Sequence, residues 1–472
     1  MMAFPARKMK HIKKIICQKR HGAALIISMI FVLIFSALAV SLATMSGTNL
    51  QIANNLHKIN SAFGSAESGL EVMRYWLNRV CIPNSTAPNA ILNTISASLQ
   101  NALTINSISN ITANFGGSII TIPSVTLVSA DNTSFSAVLR QLDDDTIQLD
   151  VTGTNGQIRR TIRVNYNIEP YMYPIFDYGL ATKGPLRIKG NPSLTGVNHD
   201  GEANIYIESS NDDLALQIIG NADIGGDVSI ANPDAYVELQ GNVSIGGDTG
   251  QAAIDNHIFI GVDTPEFPIP DTGYFQQYAT GPVIDSSTDT SSNMTFTNAI
   301  VLAGTNPVFS GNCEIYGILF IETPNTVKFT GNLTITGLIV GNGDVSCPSL
   351  YNELTFTGNV DTYPVSQLPE QPEFDALRQE TGSLILAPGF SASFLGNFSI
   401  IEGTIAVSGA EFKGNADGTF NGTVINYSDT PMTLKGNPNL NFDRSAYTET
   451  PAGFDTTRVL QYDPSSYSEI NL

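Results

Sequence analysis

Charge is scarce in this chain. Only 14% of its 472 residues are Asp, Glu, Lys or Arg, against roughly 25% in ordinary globular proteins. Few helical faces can then be solvated, and the body is expected to be mainly β. Acids are missing altogether at the start: eight of the 23 basic residues (Arg7, Lys8, Lys10, Lys13, Lys14, Lys19, Arg20 and Lys58) precede the first carboxylate, Glu67. The remainder carries 15 basic against 43 acidic residues, a net of −28. It has too few cations for phosphate binding, which argues against a nucleic-acid partner. Cysteine is limited to four residues, histidine to five and tryptophan to one. No metalloprotease histidine spacing, phosphate loop, dinucleotide fingerprint or nucleophile elbow stands out, so the reading is not an enzyme. Gly and Pro, at 41 and 24, are near average usage and exclude collagen and bulk low complexity.

What is present begins with a 24-residue apolar run over 22–45, broken only by Ser28, Ser36, Ser41 and Thr44. As a helix it would be about 36 Å long, enough to cross a hydrocarbon core of about 30 Å. Seven basic residues precede it and place the N-terminus in the cytoplasm. A cleaved secretory signal competes, although its apolar region normally spans only about 7–15 residues; so does a buried core helix. The pattern then continues. Ile52, Leu56, Ile59, Phe63, Ala66, Leu70, Met73, Leu77 and Val80 alternate steps of four and three, an apolar stripe on one helical face. Pro83 ends it. The spacing predicts one helix over 22–80, with Gly47 its weakest point. A plain anchor needs no such stripe; it needs a partner, either this protein's own sheet or neighbouring subunits.

The basic leader, Gly22-Ala23 and the long apolar run are followed by Asn54-Asn55-Leu56, Asn60, Ala62-Phe63 and Ala66-Glu67-Ser68-Gly69-Leu70-Glu71. This pattern, over roughly residues 15–80, resembles the N-terminal region of PilX-type minor pilins of type IV pilus systems. The resemblance implies cleavage by a prepilin peptidase after Gly22, leaving Ala23 as the mature N-terminus. Major pilins carry a glutamate at the fifth mature position; here it is Ile27. That departure resembles the PilX and GspK type of minor subunit and suits a tip or priming position.

Four strand signals follow, at 118–129, 134–142, 146–153 and 157–168, with Asn155-Gly156 as a hairpin turn between the last two. They read as a small antiparallel pilin-like sheet within 84–170, placed to receive the stripe. Residues 84–117 show no strong periodicity, and Asp143-Asp144-Asp145 reads as a solvated turn. After Pro170 the pair Gly-Asn recurs at Gly190, Gly220, Gly241, Gly311, Gly331, Gly358, Gly396, Gly414 and Gly436, often 18–22 residues apart. Gly and Asn accept left-handed angles and so allow a sharp corner. Stacked corners would let the Asn amides form a ladder. Inward positions such as Ile188, Ile218, Leu239, Val243, Ile245, Phe329, Leu333, Ile335, Phe394, Phe398 and Ile400 would form a continuous core. The expected architecture over 171–472 is an irregular parallel β-helix, or solenoid; an antiparallel β-sandwich is the alternative. Inserts at 264–281 and 368–382 interrupt the repeat, each a proline-led loop whose Phe275, Tyr278, Phe374 and Leu377 could dock on the solenoid.

Three further residue groups carry chemical possibilities. Asp227 and Asp248 each end an Ile-Gly-Gly-Asp motif, 21 residues apart; stacked on adjacent coils they would be a candidate calcium pair, or two solvated turn aspartates. Lys183, Arg187 and Lys189 cluster at the solenoid's start, read as capping its first coil. Cys313 and Cys347 are a candidate disulfide if one or two coils separate them, whereas Cys17 lies in the leader over 1–22. No cofactor is required. The function expected is structural: a minor pilin or pseudopilin-like subunit, anchored in the bacterial inner membrane through 23–80, packed against other pilin-like subunits, with its β body periplasmic or displayed at a pilus tip. Adhesion to a surface polysaccharide fits that body. A membrane-anchored polysaccharide-binding or -degrading β-helix protein and a tethered scaffold that never enters a pilus are the alternatives.

Overall fold

A computed structural model describes residues 21–84, 86–346, 351–445, 450–454 and 457–470. The chain divides into two compact units, the first formed by residues 1–80, 87–168 and 460–472, the second by 81–86 and 169–459. In the first unit, helix α1 runs unbroken over His21–Leu77, through Gly47, where an added Cβ would meet open space. Strands Ile119–Val128, Thr133–Gln141, Thr146–Asn155 and Ile158–Pro170 form an antiparallel meander. On its open face Asp150 is gripped by Arg140 at 2.7 Å and by Arg163 through two bonds of 2.7 and 2.8 Å. Burial pushes the Asp150 carboxyl up, but these guanidiniums outweigh it and hold it below the usual aspartate range.

Two elements here were not read from the sequence. Helix α2, Ile91–Ile105, buries Ile91, Leu92, Ile95, Leu99 and Leu103 within a stretch whose Asn, Ser and Thr residues dilute the apolar signal. The final strand, Thr457–Ile470, lies beside Ile158–Pro170, and Ser466 Oγ accepts the Asn165 N–H at 2.7 Å. Residues 460–470 therefore complete the small sheet instead of ending the solenoid: strand pairing is non-local and leaves no local mark in the sequence.

The second unit is a solenoid of parallel, in-register strands, which excludes the sandwich. Three walls are stacked along one axis. In the second wall the spatial order is Val308–Phe309, Thr326–Phe329, Glu353–Phe356, Ser391–Phe394, Ala410–Gly414, Met432–Gly436, Leu186–Gly190, Leu214–Gly220, Tyr236–Gln240. The chain thus starts in the middle of the stack. It winds to one end at Ile258–Ile260 and resumes at the other end at Val283–Ile284. It then winds inward until its last coil seats on its first. The cluster Lys183, Arg187 and Lys189 therefore caps nothing, because Met432–Gly436 stacks on the coil that carries it.

The seam between last and first coils is bonded like any other. Asn426 Nδ2 donates to Thr182 Oγ1 at 2.9 Å, Asn191 Nδ2 to Asn437 Oδ1 at 2.9 Å, and Thr195 Oγ1 to Asn441 Oδ1 at 2.8 Å. The Asn ladder runs across it, from Asn415 through Asn437, Asn191 and Asn221 to Asn242, with links of 3.4, 2.9, 2.9 and 3.1 Å. Beside it the corner glycines lie backbone on backbone. A Cβ on Gly220 would fall 1.9 Å from the Gly190 oxygen, and one on Gly241 2.1 Å from the Gly220 oxygen. Inside, Phe309, Phe329, Phe356, Phe394 and Phe412 form one stack at 5.0, 5.2, 5.2 and 4.8 Å. The inward positions expected from sequence are buried, except that Leu239 is partly so and Ile400 is exposed, its neighbour Ile401 taking the core place.

The first wall is covered on its outer face as well. Residues 261–282 return along it: Phe267 packs on Tyr206 and Tyr427, the Tyr427 hydroxyl donates to the Pro268 carbonyl at 2.5 Å, and Gly281 N–H reaches the Asn298 carbonyl at 2.8 Å. Phe275, Phe374 and Leu377 are buried there with Ile318, Phe320, Leu338 and Val340. The two inserts also meet, since the Tyr274 and Tyr278 hydroxyls donate to Glu380 Oε1 at 2.5 and 3.1 Å. Both inserts are thus a cover over one wall.

Because Gly220 has φ +137° and the Gly190 oxygen lies where a Cβ would go, Gly220→Ala should destabilise the solenoid by roughly 2–4 kcal/mol. Urea denaturation of the detergent-solubilised chain measures this; an unchanged midpoint would show that the corners do not stack so closely.

Candidate functional site

Helix α1 presents two chemically distinct halves. From Leu25 to Leu56 its large apolar side chains are exposed, among them Phe31, Phe35, Leu42, Met45 and Leu50. Four of its hydroxyls there are bonded within the helix: Ser28 Oγ donates to the Leu25 carbonyl at 2.9 Å, Ser36 to Val32 at 2.5 Å, Thr44 to Val40 at 3.0 Å and Thr48 to Thr44 at 2.9 Å. These four hydroxyls keep a partner in an apolar medium. Among the described residues α1 is the one helix long and apolar enough to cross a membrane.

The second half docks on the sheet of its own unit. Ala62, Ser65, Ala66, Gly69, Leu70, Met73, Trp76, Leu77 and Val80 are buried. Of the stripe expected from sequence, Leu70, Met73 and Leu77 are buried, Ile59 and Phe63 half-buried, and Ile52 and Leu56 exposed. The seam is built on small residues that the heptad reading passed over. A Cβ on Gly153 would lie 2.2 Å from both the Ala62 oxygen and the Ala66 nitrogen; one on Gly69 would lie 2.6 Å from the Phe135 ring. Asn155 Nδ2 donates to Ser61 Oγ at 2.8 Å, and the Arg74 guanidinium lies 4.8 Å from the Tyr462 ring centroid. Tyr166, packed on Tyr462 at 5.7 Å, has its hydroxyl pushed up by burial. Gly22, Ala23 and Ile27 all lie within α1, and the Ile27 side chain is exposed.

The remaining candidates lie in the second unit. Asp227 and Asp248 do not face one another across an open gap. His257, at the end of α3 (Gln251–His257), stands between them, with Nδ1 2.7 Å from Asp227 Oδ1 and Nε2 3.5 Å from Asp248 Oδ2. An imidazole thus occupies the place a calcium ion would need, and calcium prefers oxygen ligands. Among the described residues no group of three or more His, Cys, Asp or Glu could hold a metal. Cys313 points into the core, where burial pushes its thiol up to about 12; its proposed partner Cys347 lies outside the described residues. Arg187 pairs with Asp212 at 2.8 Å, and Lys183 Nζ lies 5.4 Å from the Phe267 ring centroid. Glu202 is buried and accepts the Asn198 N–H, Asn198 Nδ2 and the Arg444 N–H at 2.7, 3.0 and 3.1 Å. Burial raises its pKa, but these bonds outweigh that and keep it below the ordinary range, fastening the last coil to the first.

Replacing Gly69 by Leu should unseat the docked half of α1, because a side chain there collides with Phe135, at a cost of roughly 3 kcal/mol or more. Leu56→Ala, on the exposed half, should leave stability unchanged within about 0.5 kcal/mol. Thermal unfolding of both variants in detergent checks this; equal losses would place the docking boundary elsewhere.

The PilX N-terminal family matches residues 21–71, which span the whole exposed half of α1 and the first turns of its docked half. No curated protein matches the chain. Among solved structures it is similar to the competence-associated pilin ComZ from Thermus thermophilus, at 14% identity over 88% of this chain and 97% of that one, with a TM-score of 0.31. The family likeness of this chain thus lies in residues 21–71, the segment that matches the PilX N-terminal model.

Proposed function

We propose that this protein is a structural, non-enzymatic minor subunit of a type IV pilus or a related secretion-like fibre. One observation carries the reading: a single helix joins an exposed apolar half to a half locked on the small sheet. In a bilayer the exposed half serves as a single-pass anchor of the inner membrane, its N-terminus cytoplasmic and the β body periplasmic. In a fibre the same side chains pack against other pilin-like subunits. Each Leu, Ile, Val or Phe fully buried there contributes about 1.5–3 kcal/mol. Ile27 supports a tip or priming position, since a subunit without a carboxylate there cannot neutralise a preceding subunit's N-terminal amine. The solenoid is the displayed module, suited to adhesion on a surface polysaccharide.

Prepilin peptidase cleaves after Gly22 on this reading. Sequencing the N-terminus of the protein recovered from its host membrane should give Ala23, and Gly22→Asp should leave the leader in place and prevent recovery in sheared fibres. An intact Met1 in the wild type would overturn processing and leave a permanent tether.

A further inference from the structure

Three of the nine Gly-Asn corners are preceded by lysine: Lys189-Gly190-Asn191, Lys413-Gly414-Asn415 and Lys435-Gly436-Asn437. In sequence the first is far from the others. The inward winding brings all three onto adjacent coils, because Lys413 pairs in register with Lys435 and Lys435 with Lys189. The ammonium groups therefore form a column on the outer face of the second wall, one per strand spacing of about 4.8 Å. The same position elsewhere in the stack holds Thr330, Thr357, Leu395, Ile219 and Gln240.

This column costs the fold stability. Like charges directly opposite each other on neighbouring strands repel, and a Thr or Gln would fill the place equally well. Lys189 and Lys435 are exposed and make no ion pair among the described residues, whereas Lys413 is paired with Glu411. Arg187, in register with Thr433 alongside, is neutralised by Asp212. On the other side run the exposed amides of Asn415, Asn437 and Asn191, each with a second N–H beyond the ladder bond. In a body of net charge −28, two adjacent lysines without an ion pair among the described residues, flanked by amide donors, form a local site that attracts anions.

We infer that the unpaired Lys435 and Lys189 bind a linear acidic polysaccharide laid along the solenoid axis, with its carboxylates on these two ammonium groups and sugar hydroxyls on the Asn amides. A pyranose unit is about as long as one strand spacing, so successive acidic sugars keep step with successive coils. Duplex DNA curves away from a straight column, and single strands need aromatic stacking platforms, which the column does not supply. The inference rests on reading the solenoid as a displayed binding module, and it names that module's ligand class and site.

The test is binding of the detergent-solubilised full chain to immobilised alginate, neutral dextran and duplex DNA. Wild type should be retained on alginate, released as salt rises, and not retained on dextran. Lys189→Gln with Lys435→Gln should weaken alginate binding about tenfold, and the corresponding Arg pair should preserve it, with circular dichroism unchanged in both. The inference is overturned if wild type ignores alginate, if the Gln pair binds it as tightly as wild type, or if DNA is held more tightly than alginate. Recovery of the Gln pair in sheared fibres at the wild-type level separates this site from assembly; failure of the wild type to enter fibres would count against the pilus reading alone.

Discussion

Backbone lying directly on backbone at the Gly-Asn corners is the constraint on which this solenoid depends. Where the Gly190 oxygen sits 1.9 Å from the place a Gly220 Cβ would occupy, no other residue brings successive coils into register without displacing one of them. Register then does the rest. It sets asparagine above asparagine, phenylalanine above phenylalanine, and lysine above lysine. It also explains how a coil made from residues 424–442 can seat on one made from 180–196: the seam is indifferent to where in the sequence its two sides arise.

The same use of small residues governs the other unit. Gly69 and Gly153 let helix and sheet approach to a distance that larger side chains would forbid, and that close fit holds one end of α1 while the other end stays bare. Stiffness at the docked half gives the bare half a defined direction, which a flexible tether would lack. On the proposed function, a membrane span and a subunit–subunit contact are two environments for one set of side chains.

Local and periodic features were legible in the sequence. The long helix, the hairpin at Asn155-Gly156, the parallel coils and the Asn ladder all follow from spacing and from the backbone preferences of two residue types. What escaped was non-local. Nothing in residues 460–470 states that they return to the first sheet, and nothing in the recurring Gly-Asn pair states that coil order in space departs from order in the chain. Side-chain facing near Ile400 was misjudged by one residue, the usual result of a local shift in a strand of period two. Helix α2 was hidden by its own Asn, Ser and Thr content. For the Asp227 and Asp248 pair, the motif spacing correctly suggested proximity, but His257 comes from a helix that closes the end of the stack, and its place between them is a tertiary fact.

Winding from the middle outward also solves a problem of attachment. A solenoid laid down in chain order has its two ends at opposite poles, as far apart as the stack is long. Here the first and last coils are neighbours, so the points where the chain enters and leaves the solenoid fall on adjoining coils. The strands that lead in and out, Ile158–Pro170 and Thr457–Ile470, are themselves neighbours in the small sheet. Domains whose termini lie close together can be inserted into a host with little disturbance. The whole β-helix can accordingly be regarded as one very large hairpin loop, in which coils can be gained or lost without altering the small sheet whose strands carry it.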